Sequence, residues 1–288
     1  MATQYKVFLT LTHYNQFQVT NHWYSHRKNA GLGNMMFQIA SAKAYAIKHN
    51  ATLYVPGLRT YFDDEKIPKE DSPFKQIEHA VPHDFHFHMN ESNESNKCIW
   101  DYPFHDKIHF YGYFENIANF DEYKSHIIDL FKPTQPIIQY LLEKYPFIQD
   151  DDITSIHIRR GDDYMQIAKD SPELHTKLQQ YESYYLAAID HMIQHKHVKK
   201  VFIFTNDPQY ATQLLFENPK YQTQNIQFFM SDELYYVDTW MMSLIKNNIV
   251  SCSTMSWWGS YLNTNPDKYI LYGQCNRPEL YYKEWTLI

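Results

Sequence analysis

The chain has few glycines, few cysteines, no long apolar run and no excess of basic residues. Seven glycines in 288 residues make each one in a special local setting informative, because glycine serves where the backbone bends sharply or approaches a ligand. Three cysteines, Cys98, Cys252 and Cys275, are too few and too scattered for a disulfide framework, and they suit a reducing compartment. The apolar run at Val7, Phe8 and Leu9 is shorter than a signal-peptide core, and no later run reaches the length of a bilayer span. The expectation is a soluble, cytoplasmic protein, with peripheral membrane contact left open. Lysine and arginine number 26 against 33 aspartates and glutamates, a net charge of -7. That argues against a nucleic-acid partner, which favours a basic face, yet leaves room for a local basic pocket holding one small anion. There is no internal repeat and no low-complexity tract. Nothing here fixes an oligomeric state.

Aromatic residues are abundant, with 25 tyrosines and 18 phenylalanines. Sugar-stacking surfaces are one reading; a general compositional bias is the heavier one. The length suits two domains, and a polar stretch at Asp150-Asp151-Asp152 marks their expected boundary, giving 1–150 and 151–288. In the first half, Ala30-Gly31-Leu32-Gly33 reads as a loop and Asn34 as a helix N-cap. Phe37, Ala40, Ala44 and Ile47 then recur at helical spacing, and Ala51–Val55 reads as the next strand. Arg59 to Asn96 reads as long loops or an inserted subregion. Ile108–Phe114 reads as a strand leaving into a loop, and two helices follow, over Phe120–Phe131 and Pro136–Tyr145.

The second half alternates. Strands are predicted at Thr154–Ile158, Lys200–Phe204, Ile226–Met230 and Ile249–Ser251. Helices are predicted around Tyr184–Lys196, Gln209–Phe216 and Asp238–Lys246, with another starting near Ser256. Such alternation predicts an α/β fold with a parallel sheet. Ligands in these folds sit beyond the carboxyl ends of the strands, and three ends here carry suitable chemistry. In the first, His157 and Arg159 share one face of a strand, followed by Arg160, Gly161 and Asp162; a planar guanidinium matches a diphosphate. A plain solvated surface strand is the alternative. In the second, Thr205-Asn206-Asp207 follows a continuous apolar run, and Asp207 either accepts paired N–H donors of a guanine ring or caps the helix opened by Pro208. In the third, Ser253, Thr254 and Ser256 open a helix, where backbone N–H groups favour phosphate; simple capping is the alternative. A fourth element, Gly31-Leu32-Gly33-Asn34, opens a helix in the other half.

Together these segments resemble one family along nearly the whole chain, the α-1,2-fucosyltransferases of glycosyltransferase family 11. Gly31-Leu32-Gly33-Asn34-Met35-Met36-Phe37-Gln38 is similar to its GLGNQMFQ signature. Gly112-Tyr113-Phe114-Glu115 resembles GYFQ, and His157-Ile158-Arg159-Arg160-Gly161-Asp162 matches H-x-R-R-G-D. Phe204–Asp207, Met242–Ile249 and Ser253–Gly259 resemble FSDD, MSLCKHNI and STFSWWG. The resemblance implies a GT-B-like pair of Rossmann-type domains facing a donor/acceptor cleft, GDP-fucose as donor, a glycan acceptor ending in galactose, and an α-1,2 linkage formed with inversion. It implies that Arg159 holds the β-phosphate, that His157 and Asp207 recognise guanine, and that the Ser253–Ser256 turn binds phosphate. Gly31, Gly33 and Asn34 would line the donor side from the other domain. Met35, Asn206 and Met255 depart from the family pattern, which bears on acceptor and fine donor specificity.

Asp162 is the favoured general base, with Asp163 and Glu115 as further candidates; its bland role is to pair with Arg160. No metal and no other cofactor is expected. Asp150-Asp151-Asp152 contains a formal D-x-D, but it precedes a strand and reads as a linker, and His86 and His88 lack a partner set for zinc. Rival readings are a transferase using another GDP-sugar or linkage, and a non-catalytic carbohydrate- or nucleotide-binding relative.

Overall fold

A computed structural model describes residues 5–11, 31–55, 58, 72–77, 87–90, 98–160, 172–273 and 277–288. The chain forms two compact units, Met1–Thr134 and Gln135–Ile288. The first contains β1 (Tyr5–Thr10), α1 (Leu32–Lys48), β2 (Ala51–Tyr54), β3 (Phe87–Asn90), β4 (Ile108–Tyr111) and α2 (Lys124–Phe131). Its sheet runs β2-β1-β4-β3, all parallel.

Helix α1 starts earlier than the motif suggested. Gly31 is the N-cap, without a side-chain capping bond, and its carbonyl accepts from the N–H groups of Asn34 and Met35 at 3.0 and 3.1 Å. Asn34 therefore lies inside the first turn, a correction to its reading as the cap. The helix ends as expected for this sequence, with Lys48 in the last turn and Asn50 at φ 50°, a conformation asparagine tolerates better than most residues. Strand β4 stops at Tyr111 and leaves into a loop, as the sequence suggests, because the backbone turns at Gly112 and at Phe114, which has φ 49°. The Phe114 carbonyl accepts from Asn116 N–H at 2.8 Å, Ser41 Oγ at 3.3 Å and Asn119 Nδ2 at 3.2 Å. Those bonds pin the turn, and Glu115 with it, against α1.

The second unit contains α3 (Gln135–Lys144), β5 (Ile153–Ile158), α4 (Pro172–Lys196), β6 (Lys200–Thr205), α5 (Pro208–Ala211), α6 (Pro219–Thr223), β7 (Gln227–Met230), α7 (Tyr235–Leu244), β8 (Asn247–Val250), α8 (Thr254–Tyr261), β9 (Tyr269–Tyr272) and β10 (Thr286–Leu287). Its sheet runs β10-β9-β8-β5-β6-β7, all parallel. Chain order proceeds outward from β5 through β6 to β7, then returns to β8 on the other side. This is the Rossmann order, with its topological switch point between β5 and β8.

The two sheet faces have separate cores. Ile156, Ile158, Val201, Ile203, Ile249 and Leu271 pack with Tyr185, Ala188, Ile189 and Met192 of α4, whose spacing places them on one helix face. On the opposite face Phe147 packs at a tilt against Phe229 at 4.1 Å and Tyr145 meets Phe202 edge-on at 5.2 Å. The segment after α3 therefore covers β6 and β7, which is why α3 joins the second unit and the division falls before Asp150. Helices α7 and α8 approach closely: a Cβ at Gly259 would come within 2.6 Å of Met242 Cβ.

Cys98 is free and Cys252 is disulfide-bonded, so one bond forms although the count and spacing rule out a framework of several. Among the described residues no helix is long and apolar enough to cross a membrane.

Candidate functional site

Every residue of β5 is buried, so the strand is central rather than a solvated surface strand. His157 is 4% exposed, and its Nδ1 lies 3.3 Å from Ser251 Oγ. Burial, reinforced by the nearby Arg159 charge, pushes its pKa down to about 3. At neutral pH it is thus an uncharged imidazole, a hydrogen-bonding group rather than a cation. Arg159 and Arg160 follow at the strand exit, both half-buried. Gly161, Asp162 and Asp163 lie outside the described residues.

The exit of β6 is tied to that of β5. Thr205 Oγ1 donates to Ile158 O at 2.9 Å and accepts from Asp207 N–H at 3.0 Å. Asn206 Oδ1 accepts from Arg160 N–H at 3.0 Å. Asp207 is the N-cap of α5, accepting from Tyr210 N–H at 3.1 Å. Capping uses one acceptor position of a carboxylate that has about four, so it leaves capacity for a ligand.

At the exit of β8, α8 begins at Thr254 with Ser253 as N-cap, and the Ser253 side chain makes no capping bond. Ser256 is 2% exposed. Its Oγ bonds Ser253 O at 2.9 Å and lies 3.1 Å from Ser251 Oγ. A chain of contacts, His157–Ser251–Ser256, therefore joins the exits of β5 and β8 across the switch point. Ser256 braces the turn through these bonds, while Ser253 and Thr254 are each half-buried. Tyr184 of α4 donates to Val250 O at 2.8 Å and fixes the end of β8.

One carboxylate at this edge escaped the sequence reading. Asp238 sits in the first turn of α7 and is 8% exposed. Burial pushes its pKa up to about 7, partly countered by Ser231, whose Oγ donates to Oδ1 at 2.5 Å. The signal available was an acid placed directly before an apolar helical run, which normally marks only a favourable helix start. Ser251 was missed too, because its partner His157 lies 94 residues away.

The remaining candidates are distributed differently. Gly31, Gly33 and Asn34 stand at the start of α1 in the first unit; Gly31 is exposed, Gly33 buried and Asn34 half-buried. A Cβ at Gly31 would meet no atom within 4 Å, so packing does not demand glycine there. Glu115 is 4% exposed. The acidic run is at the opposite, amino edge of the second sheet. Lys200 Nζ lies 2.9 and 2.7 Å from Asp150 and Asp152, and Lys246 Nζ 2.6 Å from Asp151. Among the described residues no group of three or more His, Cys, Asp or Glu side chains is arranged to hold a metal.

The geometry has relatives. In sequence the chain is similar to an alpha-1,2-colitosyltransferase of Escherichia coli, 24% identical over 257 residues, covering 82% of this chain and 86% of the relative. It is also similar to the O-antigen biosynthesis glycosyltransferase WbnK of Escherichia coli, 29% identical over 167 residues, or 56% of this chain. That match spans about half of WbnK, 52% of its length. In structure it is similar to the fucosyltransferase NodZ from Bradyrhizobium, with a TM-score of 0.52 at 12% identity, covering 90% of this chain and 92% of NodZ. NodZ alpha-1,6-fucosyltransferase co-crystallized with GDP gives 0.50 at 14% identity over 90% and 92% of the two chains. These likenesses show the α/β, GT-B-like fold. The pattern of glycosyl transferase family 11 runs through the protein from residue 6 to residue 286, and the chain belongs to that family.

Proposed function

We propose that this glycosyltransferase moves fucose from GDP-β-L-fucose to the 2-hydroxyl of a terminal galactose on a glycan, forming an α-1,2 linkage with inversion. The observation that carries the reading is the joined exit of β5 and β8 at the Rossmann switch point. There Arg159 follows β5, whose neutral His157 is linked through Ser251 to Ser256 at the start of α8.

Transfer leaves negative charge on the departing diphosphate. Arg159 and the backbone N–H groups at Ser253 and Thr254 stabilise that charge. His157 and Asp207 address guanine, and Asp238 is a second carboxylate suited to paired N–H donors. In this reading Gly31, Gly33 and Asn34 contribute from the first unit, and Asp162 takes the acceptor proton. The diphosphate charge is met by the arginine and the helix start, so transfer proceeds without metal or other cofactor; activity lost to a chelator and restored by a divalent cation would contradict this. A cytoplasmic site of action accords with a nucleotide-sugar donor.

The colitosyltransferase relative favours one alternative, a different GDP-activated deoxysugar as donor. Release of GDP from GDP-fucose and GDP-colitose is to be measured with and without galactose-terminated acceptors, with product linkage assigned by NMR. Acceptor-dependent release from GDP-fucose and an α-1,2 product are expected. Preference for GDP-colitose transfers the reading to that donor, and binding without turnover across the acceptor panel indicates a non-catalytic relative.

A further inference from the structure

Two adjacent arginines leave β5, and the structure treats them differently. The Arg160 guanidinium lies over the ring of Tyr210, with Cζ 3.6 Å from the ring centroid. Tyr210 Oη donates to Glu182 Oε2 of α4 at 2.7 Å, so the ring is held from beyond as well. The same tyrosine gives its backbone N–H to Asp207 at 3.1 Å, and Arg160 gives its own to Asn206 at 3.0 Å. Tyr210 thus touches the exits of β5 and β6 and is tied to α4.

We propose that Tyr210 is a positioning residue: with Glu182 it holds Arg160 to one side and fixes the backbone at the β5 exit, so that Arg159 is the arginine presented to the nucleotide diphosphate. Arg159 is bonded directly to Arg160, so holding the Arg160 N–H on Asn206 and its guanidinium on the tyrosine limits the backbone freedom that decides where Arg159 projects. A guanidinium over a ring face is well suited to this, since it is planar and weakly hydrated. A lysine keeps the charge but not the plane. Glu182 completes the arrangement: its bond to the hydroxyl limits how far the ring can tilt. The backbone bond from Tyr210 to Asp207 does not involve the ring and survives any side-chain change, so the cap of α5 and the stack can be separated experimentally.

The inference rests on the reading of this edge as a nucleotide site, and GDP binding by the intact chain, measured by calorimetry, separates the two. Tyr210→Leu is expected to raise the Kd for GDP about 3- to 30-fold, the range expected for a stacked cation. Tyr210→Phe keeps the ring but loses the hydroxyl's bond to Glu182, and is expected to bind GDP between wild type and Tyr210→Leu. Arg160→Lys loses the planar stack and weakens GDP as Tyr210→Leu does. The double variant is then no weaker than the weaker single, because both remove one interaction. Melting curves of Tyr210→Phe and Arg160→Lys guard against misfolding of the leucine variant. A Tyr210→Leu chain that binds GDP like wild type overturns the role of Tyr210, as does a double variant whose losses multiply. Loss in Arg160→Lys alone would make Arg160 itself the nucleotide ligand, which also overturns it. A wild-type chain that fails to bind GDP sinks the functional reading instead.

Discussion

The two edges of the six-stranded sheet handle charge differently. At the amino edge, acids and lysines neutralise each other: Asp150, Asp151 and Asp152 meet Lys200 and Lys246. At the carboxyl edge Lys144 pairs with Asp232 and Glu233 past β7, but beside that group other charged and polar residues are held in place by neutral ones. Arg160 rests on a tyrosine ring, Asp238 is bonded to a serine hydroxyl, and His157 is kept uncharged. Ion pairs at the first edge join neighbouring strands and contribute modestly, since exposed pairs are worth little. The second edge holds groups in less comfortable states, as expected where a ligand completes the surroundings.

The sharpest way to break this contrast is to remove Arg159. Arg159→Ala is expected to lower transfer about 100- to 1,000-fold, the range for losing one stabiliser of transition-state charge, with a melting temperature near wild type. Near-native turnover would remove its role. Asp238 comes next. Its raised pKa means that a ligand preferring the carboxylate must displace a proton below pH 7. GDP affinity should therefore rise by up to about tenfold per pH unit toward pH 7, and Asp238→Asn should abolish that slope. Calorimetry at pH 5.5 to 8 measures it; an unchanged slope in the variant assigns the dependence elsewhere.

His157 sharpens the comparison through stability. Its folded pKa lies below the unfolded 6.5, so the unfolded chain binds the extra proton. The stability this group contributes is complete above pH 6.5 and is lost as pH falls toward 3, by up to about 1.4 kcal/mol per pH unit. Denaturant titrations across this range should show a shallower acid limb for His157→Gln; an identical limb would place the sensitivity elsewhere. The smallest effect belongs to the amino edge. Lys200→Met should move the melting temperature by a few degrees at most and leave transfer unaffected; a strong loss of activity would erase the distinction between the edges.

Much of this second unit was legible because its strands are short apolar runs with polar residues clustered at their exits. Strands β5 and β6 and the start of α8 were readable to within one or two residues of their observed positions. The early part of α4 was not: its apolar positions before Tyr184 are sparse, so the helix seemed to begin there rather than at Pro172. Strand β10 has only two residues, too short for any pattern to show. The candidate residues at the carboxyl edge stood out by type, as with His157, Arg159 and Asp207. Those acting through long-range partners did not. Asp238 looks like a helix-start acid until its burial is known, and Tyr210 looks like one aromatic among many until Arg160 is placed on it. The disulfide at Cys252 was hidden for the same reason: contact in space leaves little trace in spacing.

Hydrogen exchange of the full chain with and without saturating GDP tests the central claim most directly. Slowed exchange is predicted at the backbone N–H groups of residues 159–160, 205–207, 209–210 and 253–257, with exchange at 150–152 and 246 unchanged. Protection confined to the amino edge, or absent from the exits of β5 and β8 while GDP is bound, would contradict the account.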